Sequence, residues 1–183
     1  MASNLEFVEM EVKFLPDILS IYTYYVENTT VTFQITPNDL DEMKKIVIPS
    51  NPRFKSYAIF YDQYDQPEHH LQNGQMTLSQ ICGYVLLNPY RPREAFQDSA
   101  EVTIYLKQDV TGKGIGSAAL QFIETIARQN HFHTLVSLIC NENLQSIRLF
   151  KKHGYFECAC IKECGKKFDR FLDLVIYQKL LNT

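Results

Sequence analysis

Residues 101–116, EVTIYLKQDVTGKGIG, run straight into SAALQFIETIA, and the fold is read outward from them. They predict a strand, a short loop dense in glycine, and a helix whose first turn is almost bare of side chains. Such a turn aims a row of backbone N–H groups at an anion, most often a phosphate. Glu101, at the head of the strand, sets a proton acceptor within one element of that cradle.

The chain of 183 residues fits a single domain spanning 1–183 and is long enough to bury a sizeable core. An apolar fraction of 45% with many aromatics predicts a packed globule rather than a disordered chain. A net charge of −3 gives no electrostatic reason to expect nucleic acid as a partner. No apolar run reaches the length of a membrane span, and MASNLEFVEM lacks the basic and apolar regions of a signal peptide. A cytoplasmic protein with no membrane partner is expected. Of the five cysteines, Cys82 and Cys140 fall on expected buried strands, which fits reduced thiols. Cys158, Cys160 and Cys164 lie near His153, but C-x-C-x3-C matches no common zinc spacing, and no metal is expected.

Residues 5–12 predict a first strand, and the spacing of Ile18, Leu19, Tyr22, Tyr25 and Val26 predicts a helix over 15–27. NTTVTFQITP is too rich in β-branched residues to continue it. Thr36 as N-cap and Pro37 as first helical residue are expected to open a second helix, closed by Pro49 and Pro52. Strands are expected at 56–61 and 81–87. Between them, 62–80 is polar, carries turn signals at Pro67 and Asn73-Gly74, and reads as an enlarged loop, where His69 and His70 are expected to be solvated. A helix from 115 presents Ile115, Ala119, Phe122 and Ile126 on one face. TLVSLIC at 134–140 is an unbroken apolar strand of the kind buried on both faces. A short helix follows, with Asn143 a natural N-cap and Gly154 a natural C-cap. YFECACIK and RFLDLVIYQ supply two final strands, joined by a loop at 163–169. The layout is one mixed α/β, or α+β, layer domain.

The glycine turn alone admits several readings. A P-loop requires lysine then serine or threonine after its last glycine, whereas Lys113 precedes Gly114. Gly112-Lys113-Gly114-Ile115-Gly116 is G-x-G-x-G and not a dinucleotide fingerprint. A glycine turn holding no phosphate is equally compatible with it. Its company decides. TGKGIG resembles the [Q/R]-x-x-G-x-[G/A] signature of the GNAT superfamily of N-acetyltransferases at both glycines, with Thr111 in the first position. Asn143, Ser146, Arg148 and Leu149, followed by Gly154-Tyr155, resemble that superfamily's second signature. Four blocks resemble the phosphinothricin and methionine sulfoximine acetyltransferases in particular. These are YYVENTTVTFQITP (24–37), NPYRPREAFQDSAEVTIYL (88–106), the glycine turn with its helix, and IKECGKKFDRFLDLVIYQ (161–178). Only 62–80 stands outside them, as an insertion.

The resemblance implies a mostly antiparallel sheet of about seven strands, splayed between its fourth and fifth strands, with helices on both faces. It implies acetyl-CoA as co-substrate, a small amino-acid-like amine as acceptor, direct attack of that amine on the thioester, and a homodimer. Glu101 is the implied base. The implied acetyl-CoA contacts are Thr103, Ile104, Tyr105 and Leu106 on the strand, Thr111, Gly112, Lys113, Gly114, Ile115, Gly116 and Ser117 on the turn, and Asn143 and Ser146. Phe33, Tyr90, Arg91 and Arg93, with Glu101, are the implied acceptor contacts, since a guanidinium fork suits an oxyanion. Asn143 also reads as a plain cap, and Phe33 as a core aromatic. Three departures stand out: Thr111 for glutamine or arginine, Phe150 for a histidine, and Phe171 for a tryptophan. A different amine, such as a polyamine or a protein N-terminus, and a non-catalytic CoA-binding module are the alternatives.

Overall fold

The computed structural model describes residues 5–62 and 80–181. Seven strands form one sheet in the order β1-β2-β3-β4-β5-β7-β6. They are β1 (Leu5–Glu9), β2 (Ser56–Tyr61), β3 (Gln80–Pro89), β4 (Ser99–Leu106), β5 (Thr134–Cys140), β6 (Phe156–Lys167) and β7 (Arg170–Leu180). The helices are α1 (Leu15–Asn28), α2 (Leu40–Val47), α3 (Ile115–Gln129) and α4 (Leu144–Lys152). The insertion expected at 62–80 lies, apart from its two end residues, outside the described residues.

Strand alternation divides the core in two. Tyr84 and Leu86 of β3 face Ile18, Ile21 and Tyr25 of α1 and Met43 of α2. Val85 and Leu87 face Ile115, Ala119, Leu120 and Ile123 of α3 and Ile147 and Phe150 of α4. Cover on both faces explains why β3 is buried from Ile81 through Leu87. On α3 the core stripe runs through Ile115, Ala119, Leu120, Ile123 and Ala127, with Phe122 and Ile126 at its edge.

Every strand pair is antiparallel except β4–β5. That pair holds only at Ser99↔Thr134, Ala100↔Leu135 and Glu101↔Val136. β4 continues beside β3 to Leu106, and β5 continues beside β7 to Cys140. Past Glu101 and Val136 the two strands therefore part, and the sheet opens in the V that the resemblance implied.

The largest departures from the expected element boundaries are at β1, α2 and β6. β1 ends at Glu9, and a single 3-10 turn at Val12–Phe14 replaces its last residues. α2 opens at Leu40, not at Pro37. Asp39 accepts from the Glu42 N–H at 2.8 Å while the Glu42 carboxylate accepts from the Asp39 N–H at 3.0 Å, a reciprocal cap that Thr36 has no partner to match. β6 runs through the expected 163–169 loop as far as Lys167. Asp173 on β7 accepts from the Glu163 N–H at 2.9 Å and from Lys162 Nζ at 2.8 Å, which holds the bulge between Ile161 and Gly165 against the neighbouring strand.

Candidate active site

The split between β4 and β5 opens into two adjoining lobes, of about 550 Å³ and about 440 Å³. Val31, Ile104, Tyr105, Asn143, Ser146 and Phe150 line both and form the passage between them.

The smaller lobe is bounded by the glycine turn. Gly112 (φ 75°) and Gly114 (φ 86°) both sit in the left-handed region, where a side chain is strained. Gly114 is the N-cap of α3 and brings no side chain to close it. The first intrahelical bond is Ala118 N–H to the Gly114 carbonyl, 3.1 Å, so the N–H groups of Ile115, Gly116 and Ser117 have no partner within the helix. With the helix dipole behind them they form an anion site that needs no cation. α4 begins differently: Asn143 Oδ1 accepts from the Ser146 N–H at 3.1 Å, so its cap is closed. Ile115 contributes only its backbone, because its side chain is core. Lys113 is exposed, its ammonium 5.9 Å from the Tyr61 ring centroid, and does not line the lobe.

Backbone register assigns the strand edge. Lys107 N–H donates to the Cys82 carbonyl at 2.7 Å, and the β3–β4 ladder is unbroken down to Pro89↔Ala100. By alternation Tyr105 spends its main-chain groups on Tyr84, while those of Ile104 and Leu106 face the split. The Leu106 carbonyl already accepts from Tyr25 Oη at 2.6 Å. Burial, with Tyr24 adjacent, pushes the Tyr25 hydroxyl up to about 12, so it remains a donor.

The larger lobe gathers Glu101, Thr103 and Tyr105 from one face of β4. Thr103 thus faces this lobe and not the glycine turn. Burial raises the Glu101 carboxyl above its ordinary value, and the Arg91 charge opposes that shift. Phe33 walls the lobe and lies against Gly165 of β6, where a Cβ would run into its ring. The Thr32 hydroxyl is hydrogen-bonded to Tyr22 Oη at 3.1 Å, and the Thr32 carbonyl accepts from Lys167 Nζ at 3.0 Å. Lys167 is buried, and burial lowers its pKa. Tyr90, Arg91 and Arg93 lie on the loop before β4 and line neither lobe. Both arginines are exposed; Arg91 stacks over Tyr90, 4.4 Å to the ring centroid, and of the two it is Arg91 whose charge reaches Glu101.

Phe150 is buried at the passage and packs edge-on against Tyr155 at 4.9 Å. That contact belongs to the end of α4, where Gly154 N–H donates to the Lys151 carbonyl and Tyr155 N–H to the Phe150 carbonyl, both at 3.1 Å. Phe171 is exposed on β7. Among the described residues no three His, Cys, Asp or Glu side chains converge as a metal site would require.

A sequence model of the acetyltransferase (GNAT) family matches residues 21–155, which include Glu101, the glycine turn, α3 and α4. The chain belongs to that family. It is an acetyl-CoA-dependent N-acetyltransferase, and the uncapped α3 turn beside an open strand edge fits that co-substrate. The chain is 29% identical over 164 residues to the L-methionine sulfoximine/L-methionine sulfone acetyltransferase of Pseudomonas paraeruginosa, covering 90% of this chain and 87% of that protein. It is 28% identical over 174 residues to the phosphinothricin N-acetyltransferase of Streptomyces coelicolor, covering 95% and 93%. The crystal structure of a ribosomal-protein-alanine N-acetyltransferase from Brucella melitensis superposes with a TM-score of 0.79 at 30% identity, over 96% of this chain and 99% of that one.

Several polar groups at this site lie outside the expected contacts. Tyr25 and Thr32 fall in the 24–37 block and Lys167 in the 161–178 block, but they and His153 find partners 36 or more positions away. The resemblance of the 161–178 block was the available signal for Lys167.

Proposed function

We propose that this acetyltransferase acetylates the amine of a small amino-acid-like substrate, of the phosphinothricin or methionine sulfoximine type, with Glu101 as base. The observation that carries the reading is the pair of lobes meeting at Ile104, Tyr105, Asn143, Ser146 and Phe150, with a desolvated carboxylate in one and an uncapped helix start in the other. Acetyl-CoA supplies an acyl thioester. The N–H groups of Ile115, Gly116 and Ser117 hold its pyrophosphate, and the Ile104 and Leu106 backbone aligns its pantetheine arm. Glu101 takes a proton from the acceptor's ammonium, directly or through a water, because only the neutral amine has a lone pair to attack with. The raised Glu101 pKa makes the carboxylate a stronger base than an exposed glutamate would be. Arg91, whose charge reaches Glu101 from the loop before β4, pairs with the acceptor's oxyanion. Phe150 has no proton to give, so the thiol departs as thiolate, an acceptable leaving group with a pKa of about 8.5.

A second reading, a protein N-terminal alanine as acceptor, is favoured by the Brucella melitensis relative. One experiment separates the two. Thiol release from acetyl-CoA is followed with methionine sulfoximine, phosphinothricin, free amino acids, a polyamine and an alanyl peptide. Turnover of the sulfoximine or phosphinothricin supports the proposal, and turnover of the peptide alone replaces it. Failure of acetyl-CoA to raise the melting temperature would remove the cofactor assignment itself. The homodimer implied by the resemblance is part of this proposal and is checked by sedimentation.

A further inference from the structure

Beside the glycine turn lies a titratable group that acetyl transfer does not use. His153 ends α4, is half-buried, and its Nε2 is 2.5 Å from Oγ of Ser117, the third residue of α3. Ser117 lines the cofactor lobe and lends that lobe one of its three uncommitted N–H groups. We propose that His153 is a positioning residue that couples pyrophosphate binding to the uptake of one proton from solvent by its own ring. A hydroxyl has a single hydrogen. In the neutral tautomer with Nε2 bare, that hydrogen is drawn to the ring and Ser117 turns only lone pairs toward an anion; the neutral Nε2–H tautomer frees it without a proton, so the uptake of one is driven by the charge of the imidazolium. When the ring is an imidazolium, Nε2–H donates to Oγ, and the Ser117 hydrogen is free to point into the lobe. The imidazolium also sets a positive charge one residue from the phosphate.

The surroundings leave that charge without a counterion until the phosphate arrives. Three charged groups face the ring: Glu124 from α3, Lys152 from α4 and Lys179 from β7. Glu124 is engaged by Lys179, whose Nζ lies 2.6 Å from Glu124 Oε2 and donates to the His153 carbonyl at 2.7 Å. Burial, and then the two lysines, hold the ring below its ordinary pKa against the pull of Glu124. The free protein is therefore neutral at this position near pH 7, and a bound pyrophosphate raises the ring's pKa. By linkage, affinity increases as pH falls through the bound-state value.

The inference rests on the reading that α3 holds the pyrophosphate, and the test keeps the two apart. The His153 ring is titrated by NMR in isotopically labelled protein, free and saturated with CoA, which binds without turnover. An opposite charge at this range moves a pKa by about 1 unit, which corresponds to about a tenfold tighter Kd at low pH than at high pH. In parallel the Kd for CoA is measured at both ends of the range for the wild type and His153→Gln. Ionisation of CoA itself is common to both proteins and cancels in the comparison. A raised His153 pKa in the complex, with a flatter pH profile for His153→Gln, supports the coupling. CoA binding with an unmoved His153 pKa overturns the coupling alone, and the wild-type titration decides this even if the variant does not fold. No CoA binding at all overturns the cofactor reading and the coupling together.

Discussion

The two lobes of the site are built in opposite ways. The cofactor lobe takes its strand edge, glycine turn and helix start from one run of chain, residues 104–117, and is closed by α4. The acceptor lobe draws Tyr22, Phe33, Asn88, Glu101, Ser137 and Gly165 from six separate elements or loops. Holding a phosphate asks for bare N–H groups in a row, which a short stretch supplies through its own backbone. Choosing an amine asks for side chains converging from several directions, which requires the finished fold.

Glu101→Gln is expected to separate the lobes most sharply. kcat/KM should fall about 10²- to 10⁴-fold, the usual worth of a positioned base, while the Kd for acetyl-CoA stays unchanged. A parallel loss of acetyl-CoA affinity would show the lobes to be one functional unit. The same variant carries a stability signature. Because the folded-state pKa is raised, the folded chain binds this proton more tightly than the unfolded chain does. Stability from Glu101 is therefore full below the unfolded pKa and is lost as pH rises through the folded value. Glu101→Gln should melt higher than the wild type at pH 7, with the difference shrinking in acid; equal melting temperatures throughout would show that the carboxylate is not desolvated.

Lys167→Met tests how the acceptor loop is held. The methionine keeps the buried stem but leaves the Thr32 carbonyl without its charged donor, and bonds to charged donors are worth about 1.5–3 kcal/mol. KM for the acceptor should rise about tenfold, since each 1.4 kcal/mol is tenfold, with acetyl-CoA affinity kept within about twofold. A larger effect on acetyl-CoA would place the anchor in the wrong lobe.

Two glycines of the turn should part company. Gly114→Ala forces a side chain into the left-handed region and should cost about 1–2 kcal/mol in a urea melt. At Gly116 the added Cβ meets Leu149 Cδ2 at an ordinary 3.4 Å, so Gly116→Ala should fold normally. Equal destabilisation of both would refute the backbone account of the turn.

The smallest effect expected is on the acid limb of the pH–rate profile. Arg91 restrains the Glu101 pKa, so Arg91→Ala should move the limb to higher pH, whereas Arg93→Ala should leave it in place. Identical profiles for the two variants would remove Arg91 from the site's electrostatics.

Much of the chain was legible because its determinants are local. The strands at 56–61 and 134–140 begin and end where their apolar runs do. Asn143 caps α4 through a residue three positions on, and Gly112 and Gly114 adopt the backbone angles that favour glycine. The second helix was misplaced for a related reason: the Asp39–Glu42 reciprocal cap outcompetes a threonine followed by proline. The stretch at 163–167 read as a loop because its glycine and charges disfavour a strand, yet pairing with β7 and the Asp173 carboxylate hold it extended.

The sequence by itself determined the glycine turn and the carboxylate at the head of the strand before it, since both lie on one continuous segment whose conformation follows from glycine, helix capping and strand alternation. Tertiary structure alone decided that Phe33 rests on Gly165, that Lys167 reaches the Thr32 carbonyl 135 positions away, and that His153 meets Ser117. Those contacts arise where the loop after α1 meets β6 and where the end of α4 meets the start of α3. Nothing in the local chemistry of a lysine, a glycine or a histidine names a partner that only the finished fold brings within reach.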